Sequence, residues 1–279
     1  MAFKDLILGL TSYPEPTPSP AIQSAVSFAS VLGCHLAAVA CEIHHEVPGS
    51  FLSNALIDIP AMAAREAEKS RQNVAALLTA FEKVAGKAGL SHERIFEKCF
   101  VHEVSDVFVE YGRMRDLMII PAAPSYDHWH AESVIFGTGK PTLILPERAL
   151  AETFKLNTVM VAWDFSRTAA RAIADAIGIL EKAKDVRVVT VQNEKEIDTK
   201  RSSEEVAKNL SRHGITVTLE DVDAAGRSIG EVLKASAASC DADLLVMGAY
   251  GHSRFREFIL GGATQSLLSD PPLPIMFSH

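Results

Sequence analysis

The chain sets out one order of elements twice. Residues 4–11, KDLILGLT, line up with residues 157–164, NTVMVAWD. Each is a short apolar run without helical period, the pattern of a strand buried on both faces. An alanine-rich helix follows in each copy. Its apolar face carries Ile22, Ala25, Val26, Ala29 and Leu32 in the first, and Ala169, Ile173, Ala176, Ile177 and Leu180 in the second, where Ser166 is placed to cap it. Second strands are expected over 35–41 and 186–191. More polar helices come next, over 59–88 and over 203–213, the latter with a Ser202-x-x-Glu205 capping box and a Gly214 stop. Copy one continues with a strand centred on Phe100, a helix over 104–113 and a strand over 117–120. Copy two continues with a strand over 215–219, a helix over 228–238 and a strand over 244–247. Both copies close on a proline-led strand, 141–146 and 274–278.

Strands alternating with helices of this length specify βαβ units, parallel and right-handed. The fold class is therefore α/β: two tandem doubly wound domains, each a five-stranded parallel sheet flanked by helices. The first domain is expected over 1–150 and the second over 155–279, with a polar seam over 147–156. The length of 279 residues suits two such domains, and 48% hydrophobic with 22% charged residues supplies their cores. The net charge of −8 argues against a nucleic-acid partner. Four cysteines without C-x-x-C spacing read as buried apolar residues in a reducing compartment. The opening MAFKDLILGL lacks the pattern of a cleaved leader, and no apolar run is long enough for a membrane span. A cytoplasmic setting is expected.

One stretch asks for a chemical explanation. In MGAYGHSRFREFILGGATQS, over 247–266, an apolar strand empties into Gly248, and glycines return at Gly251, Gly261 and Gly262. Ligands of open parallel sheets sit beyond the carboxyl ends of the strands, where strand order reverses. A glycine at that tip frees the backbone to turn and lets a ligand approach. The stretch from Gly261 to Thr264 opens a helix, whose unpaired N–H groups favour an anion. Asp164, at the tip of the first strand in the same copy, offers an acceptor for an adenine amino group or a ribose hydroxyl.

These residues resemble the universal stress protein family. Gly248, Gly251 and Gly261 match its signature G-x2-G-x9-G-[S/T], within DLLVMGAYGHSRFREFILGGATQSLL, and AWDFSRTAARAI supports the match. The resemblance is close over 157–279 and weaker, in the same order, over 4–146. It implies a Rossmann-like fold of the adenine nucleotide alpha-hydrolase kind and, for one subgroup, bound ATP. Carried over by residue, it implies that Asp164 meets the adenine, with the Val191 backbone beside the base. Met247 and Gly248 would flank the ribose, and Gly251, Gly261, Gly262 and Thr264 would surround the phosphates, with or without Mg²⁺. Gly262 departs from the signature, which has Ser or Thr there. Losing that hydroxyl removes one hydrogen bond to a charged group, worth about 1.5–3 kcal/mol. Arg254 and Arg256 read as solvated loop charges, and His252 as a loop residue.

The first copy lacks this chemistry. Thr11 stands in place of Asp164, and Pro121 and Pro124 stand where the glycine turn would be. Proline fixes φ and has no N–H to give. Two histidine groups, over 41–46 and 126–130, lack the spacing of a closed metal site and read as polar loops. No G-x-x-x-x-G-K-[ST] loop is present and no nucleophile, base and orienting group are recognised together, so no catalytic set is assigned. The leading expectation is a nucleotide-binding sensor or regulator of stress responses, acting on an unknown protein partner. Two other readings stay open: a nucleotide-free interaction module and a weak ATP-hydrolysing protein. The apolar last strands need covering, so the two copies are expected to pair as an internal pseudo-dimer, with a homodimer left open.

Overall fold

The computed structural model describes residues 3–44, 59–122, 128–146, 153–193, 201–249 and 262–279. In the first half β1 (Asp5–Leu10), β2 (His35–His44), β3 (His92–Phe100), β4 (Leu117–Ala122) and β5 (Thr142–Pro146) alternate with α1 (Ser19–Leu32), α2 (Ile59–Lys87), α3 (Val104–Arg113) and α4 (His128–Gly137). The second half repeats the order. Its strands are β6 (Thr158–Ala162), β7 (Asp185–Gln192), β8 (Val217–Asp223), β9 (Leu244–Gly248) and β10 (Ile275–Ser278). Its helices are α5 (Arg167–Leu180), α6 (Glu204–Arg212), α7 (Ile229–Ser239) and α8 (Gly262–Ser269).

The strands form one ten-stranded sheet in the order β3-β2-β1-β4-β5-β10-β9-β6-β7-β8. Each half is parallel and doubly wound, with its reversal between β1 and β4 or between β6 and β9. A single antiparallel pair joins the halves: Ile275 faces Ile144, Met276 faces Leu143 and Phe277 faces Thr142. Leu143 sits beside Ile119 in the first half as Met276 sits beside Val246 in the second. The pseudo-twofold axis therefore passes through the Leu143–Met276 pair. Each last strand covers the other, which removes two apolar edges from water.

Helices cover both faces, and each face has one core running through both halves. Phe28, Phe81, Ile173 and Met276 belong to one, and Phe108, Met160, Leu267 and Phe277 to the other. The central strands β1, β4, β6 and β9 are almost wholly buried. The outermost strands β3 and β8 instead alternate, with Glu93, Arg94, Glu97 and Lys98 on one and Glu220, Asp221 and Asp223 on the other. Charges on an edge discourage further pairing. At the opposite ends of the strands, one aspartate ties each reversal. Asp116 Oδ2 accepts from Lys4 N and Asp5 N at 2.8 and 3.0 Å, and Asp243 Oδ2 accepts from Asn157 N and Thr158 N at 2.7 and 3.1 Å.

Several expected boundaries move. β2 runs on to His44, so Cys41–His44 is strand and not loop. The third strand ends at Phe100 instead of centring on it, and β8 begins at Val217. The Ser202 capping box does not form. Ser203 precedes α6 without a side-chain cap, and Glu205 is drawn to Lys208 Nζ at 2.7 Å. A reciprocal box forms on α7, where Ser228 N donates to Glu231 Oε2 at 2.9 Å and Glu231 N donates to Ser228 Oγ at 3.3 Å. The seam is less polar than its composition suggests. Phe154 N donates to Ser27 Oγ at 2.7 Å, and its ring meets Phe28 edge-on at 4.9 Å, which docks the connection on α1.

Candidate functional site

Register fixes which residues of the two halves share a place. Leu6 pairs with Leu36 and Leu117 as Val159 pairs with Val186 and Leu244. Counting along each strand puts Thr11 with Asp164, Ser12 with Phe165, Cys41 with Val191 and Pro121 with Gly248. All eight lie at the carboxyl ends of strands next to the reversal, where the topology provides a crevice.

In the second half Asp164 is half-buried just past β6. Its Oδ1 accepts the Ser166 N–H at 3.1 Å, and Ser166 Oγ in turn accepts from Ala169 N at 3.1 Å to cap α5. This tight turn forces Phe165 to φ 61°, the left-handed region, where an aromatic residue is an outlier. The Phe165 ring lies against Trp163 at 5.3 Å between centroids. Local strain of this kind, about 1–3 kcal/mol, clusters at functional sites. Here it keeps the chain compact between the strand tip and the helix, with the carboxylate held at the turn.

Val191 is buried among the side chains of the α7–α8 face, so its backbone is the part that can meet a ligand. In a parallel strand, successive residues aim their N–H and C=O at alternate neighbours. Val189 O accepts from Trp163 N at 2.9 Å, so Val189 faces β6, and Val191 faces the same way one step further out. Among the described residues the β6–β7 pairing ends at Ala162 and Val189. The Val191 amide and carbonyl therefore border the crevice beyond the tip of β6.

Gly248 has a packing reason of its own. Its φ is not in the left-handed region, and a Cβ there would lie 2.5 Å from Thr168 C, 2.6 Å from Ala169 N and 2.7 Å from Thr168 Oγ1. The missing Cβ admits the first turn of α5. Met247 is buried on the α7–α8 face. Gly262 opens α8 as expected, and among the described residues a Cβ on it would meet nothing within 4 Å. Thr264 is in the first turn of α8 and buried, 4% exposed, so its hydroxyl is not displayed on the surface. Gly251, Gly261, His252, Arg254 and Arg256 lie outside the described residues.

The first half fills the same crevice with its own side chains. Ser12 Oγ donates to Cys41 O at 2.6 Å, taking the carbonyl that corresponds to that of Val191. Ser12 Oγ also meets Ser70 Oγ at 2.9 Å; Ser70 Oγ accepts from Ile43 N at 2.9 Å, and Asn73 Nδ2 donates to Ser12 O at 2.9 Å. Thr11 is turned back on Thr17, with a hydroxyl pair at 3.0 Å. What is left beside Tyr13, Cys41 and His130 is a cavity of about 20 Å³, room for one water. Pro121 extends β4 opposite Leu145 instead of breaking it. Ser12 was not singled out in the sequence; the signal for it is the Thr-Ser of the first copy where the second has Asp-Phe.

The described members of the histidine groups are built into secondary structure, while His45, Glu46, Tyr126 and Asp127 lie outside the described residues. His44 ends β2, with Nε2 3.7 Å from Glu42 Oε1, which also lies 3.5 Å from Lys98 Nζ. His130 is on α4 and shares a 2.6 Å hydrogen bond with Ser105. Among the described residues no three ligating side chains converge on a metal position. No described helix is long and apolar enough to cross a membrane. A second concavity, about 460 Å³, lies between Phe165, Gln192, Ser203 and Asp221 at the start of α6.

Fold and strand order define a tandem, doubly wound α/β protein with the architecture of the universal stress proteins. A crystal structure of a universal stress protein from Archaeoglobus fulgidus superposes with a TM-score of 0.71, covering 98% of this chain and 95% of that one at 16% identity. A putative universal stress protein from Pseudomonas aeruginosa gives 0.61, covering 99% and 93% at 14% identity. At such identities the likeness is one of fold. Residues 155–279 match the family model described as the universal stress protein family. No curated protein sequence matches the chain.

Proposed function

We propose that the C-terminal half binds an adenine nucleotide, ATP, ADP or AMP, in the crevice between the tips of β6, β7 and β9. Asp164 and the Val191 backbone read the base. The backbone of Met247 and Gly248 flanks the ribose, and Gly251, Gly261, Gly262 and the backbone of Thr264 take the phosphates, with the N–H groups at the start of α8 supplying positive potential. Any Mg²⁺ is held chiefly by the phosphates. The first domain, over 1–150, is degenerate in this respect and binds no nucleotide in its own crevice. The protein works in the cytoplasm as a sensor or regulator of a stress response, changing its contacts with a protein partner when the nucleotide binds.

The observation that carries this reading is the contrast at one backbone position. The Cys41 carbonyl is taken by Ser12, whereas in the second half the counterpart of Ser12 is Phe165, which has no side-chain hydrogen to donate to Val191. Heat-denaturing freshly purified protein and chromatographing the supernatant tests for carried nucleotide. Titration calorimetry with ATP, ADP and AMP, with and without Mg²⁺, tests for binding. No binding at millimolar nucleotide sinks the proposal. The absence of a hydroxyl at Gly262 favours the second reading, an interaction module without nucleotide, and the same titration decides between them.

A further inference from the structure

Cys41 and Cys99 lie on neighbouring strands, on the same face of the sheet. Cys99 of β3 is opposite Ile43 of β2, and Cys41 is two residues back along β2, so the thiols are diagonal neighbours. Both are free and buried in one core. Each thiol perturbs the ionisation of the other. The water-sized cavity at the tip of the first half is lined by Cys41 and Ile43. Among the described residues β3 is the outermost strand and pairs with β2 alone, so it can shift without breaking a second ladder there. We propose that Cys41 and Cys99 form a peroxide-sensitive dithiol, oxidised by a small hydroperoxide to a disulfide that links β2 to β3.

The roles of the two sulfurs follow from their effect on each other. The neighbouring Cys41 thiol lowers the pKa of Cys99 below the ordinary thiol range, against the opposing effect of burial. The same contact, joined by burial, raises that of Cys41. Cys99 is therefore the attacking thiolate and Cys41 the resolving thiol. In the first step the Cys99 thiolate attacks one oxygen of hydrogen peroxide. The O–O bond breaks, and the leaving hydroxide takes a proton to become water. Cys99 is now a sulfenic acid. The Cys41 sulfur then attacks the Cys99 sulfur, the S–O bond breaks, and hydroxide leaves with the Cys41 proton as a second water. Two thiols lose two electrons, and one peroxide is reduced to two waters.

A disulfide holds its α-carbons closer than a diagonal pair on flat strands. Closing it slides the free edge strand along β2. Cys41 also carries the carbonyl that Ser12 grips, so the movement reaches the filled crevice of the first half.

The other two cysteines are controls within the molecule. Cys34 donates to Phe3 O at 3.1 Å, and Cys240 donates to Ala237 O at 3.6 Å; neither faces a second thiol in the structure. The test treats the full chain with one equivalent of hydrogen peroxide, quenches with an alkylating reagent and measures intact mass and non-reduced peptides. The expected result is loss of the mass of two hydrogens and a peptide pair joined through Cys41 and Cys99, with Cys34 and Cys240 alkylated. Dithiothreitol restores the starting mass. In Cys41→Ser the resolving thiol is gone, and dimedone is expected to trap the sulfenic acid on Cys99. Wild-type oxidation that begins at Cys34 or Cys240, or that takes Cys99 to sulfinic acid without a cross-link, overturns the proposal, as does no reaction. The wild-type map decides the matter even if the variant does not fold.

Discussion

A Cβ on Gly248 would lie 2.5 Å from the carbonyl carbon of Thr168. The tip of β9 and the first turn of α5 thus share a space that only hydrogen can occupy. Asp164 and Ser166, which shape the turn into α5, and Gly248, the first glycine of the signature, are parts of one packed unit. A change at any of them acts on local structure as well as on a ligand, so the predictions below separate the two.

Gly248→Ala puts a methyl group against backbone, which cannot rotate away. Overpacking of this kind costs about 1–3 kcal/mol. The denaturant midpoint of the ligand-free protein is expected to fall accordingly. A variant as stable as the parent would mean that α5 does not sit where the structure has it.

Gly262 is the opposite case, since among the described residues a Cβ there meets nothing within 4 Å. Gly262→Ser restores the signature hydroxyl without a clash with any of them. One hydrogen bond to a charged phosphate is worth about 1.5–3 kcal/mol, so the dissociation constant for ATP should drop tenfold or more in calorimetry. Unchanged affinity would mean that the phosphates, if bound at all, lie elsewhere.

Asp164→Asn keeps an oxygen to accept the Ser166 N–H but removes the charge. Asp164→Ala removes both. The alanine variant is expected to lose about 0.5–1.5 kcal/mol of stability with the hydrogen bond, and the asparagine variant little. Adenine nucleotide affinity should fall in both. Retained affinity in the asparagine variant would remove the carboxylate from base recognition.

Tyr111 donates its hydroxyl to Glu97, and that bond holds its pKa up at about 12 from an ordinary 10.0. The contribution to stability is fully present below pH 10.0 and is lost as pH rises towards about 12, because the unfolded chain ionises first. Spectrophotometric titration should show a tyrosine ionising late, and Tyr111→Phe should remove that step. Stability measured from pH 10.0 to about 12 should then decline less steeply in the variant.

The repeat of strands and helices was legible because buried parallel strands are apolar throughout, and the helices between them carry a period. VMVA and LLVM admit little else. What the sequence hid were the places where two polar choices compete. Glu205 had Ser202 behind it and Lys208 ahead, and the cation won. The exit of β2, CEIH, reads as a polar loop but is a strand, because Cys41 and Ile43 face the core while Glu42 is buried near Lys98 and His44. At the site, Asp164 and Gly248 were visible as residue types, but the reason for Gly248 was not. Its neighbour Thr168 is distant in the chain and only the fold brings them together. Ser12 escaped notice for the same reason, since its partner Cys41 belongs to the next strand.

The pairing of β5 with β10 leads to the last prediction. Ile275, Met276 and Phe277 are fully buried, and they face the first half of the same chain. Expressed alone, residues 153–279 would present that strand as an apolar edge beside a half-covered core. Such an edge recruits a partner strand, and the antiparallel geometry allows a second copy to supply it through a closed twofold contact. Met276 would then meet its own copy, as it now meets Leu143. Light scattering after size exclusion is expected to give a dimer for the fragment, and Met276→Lys should break it by placing a charge on the axis. A stable, soluble monomer of 153–279 would show that the second half does not depend on the first to cover its edge.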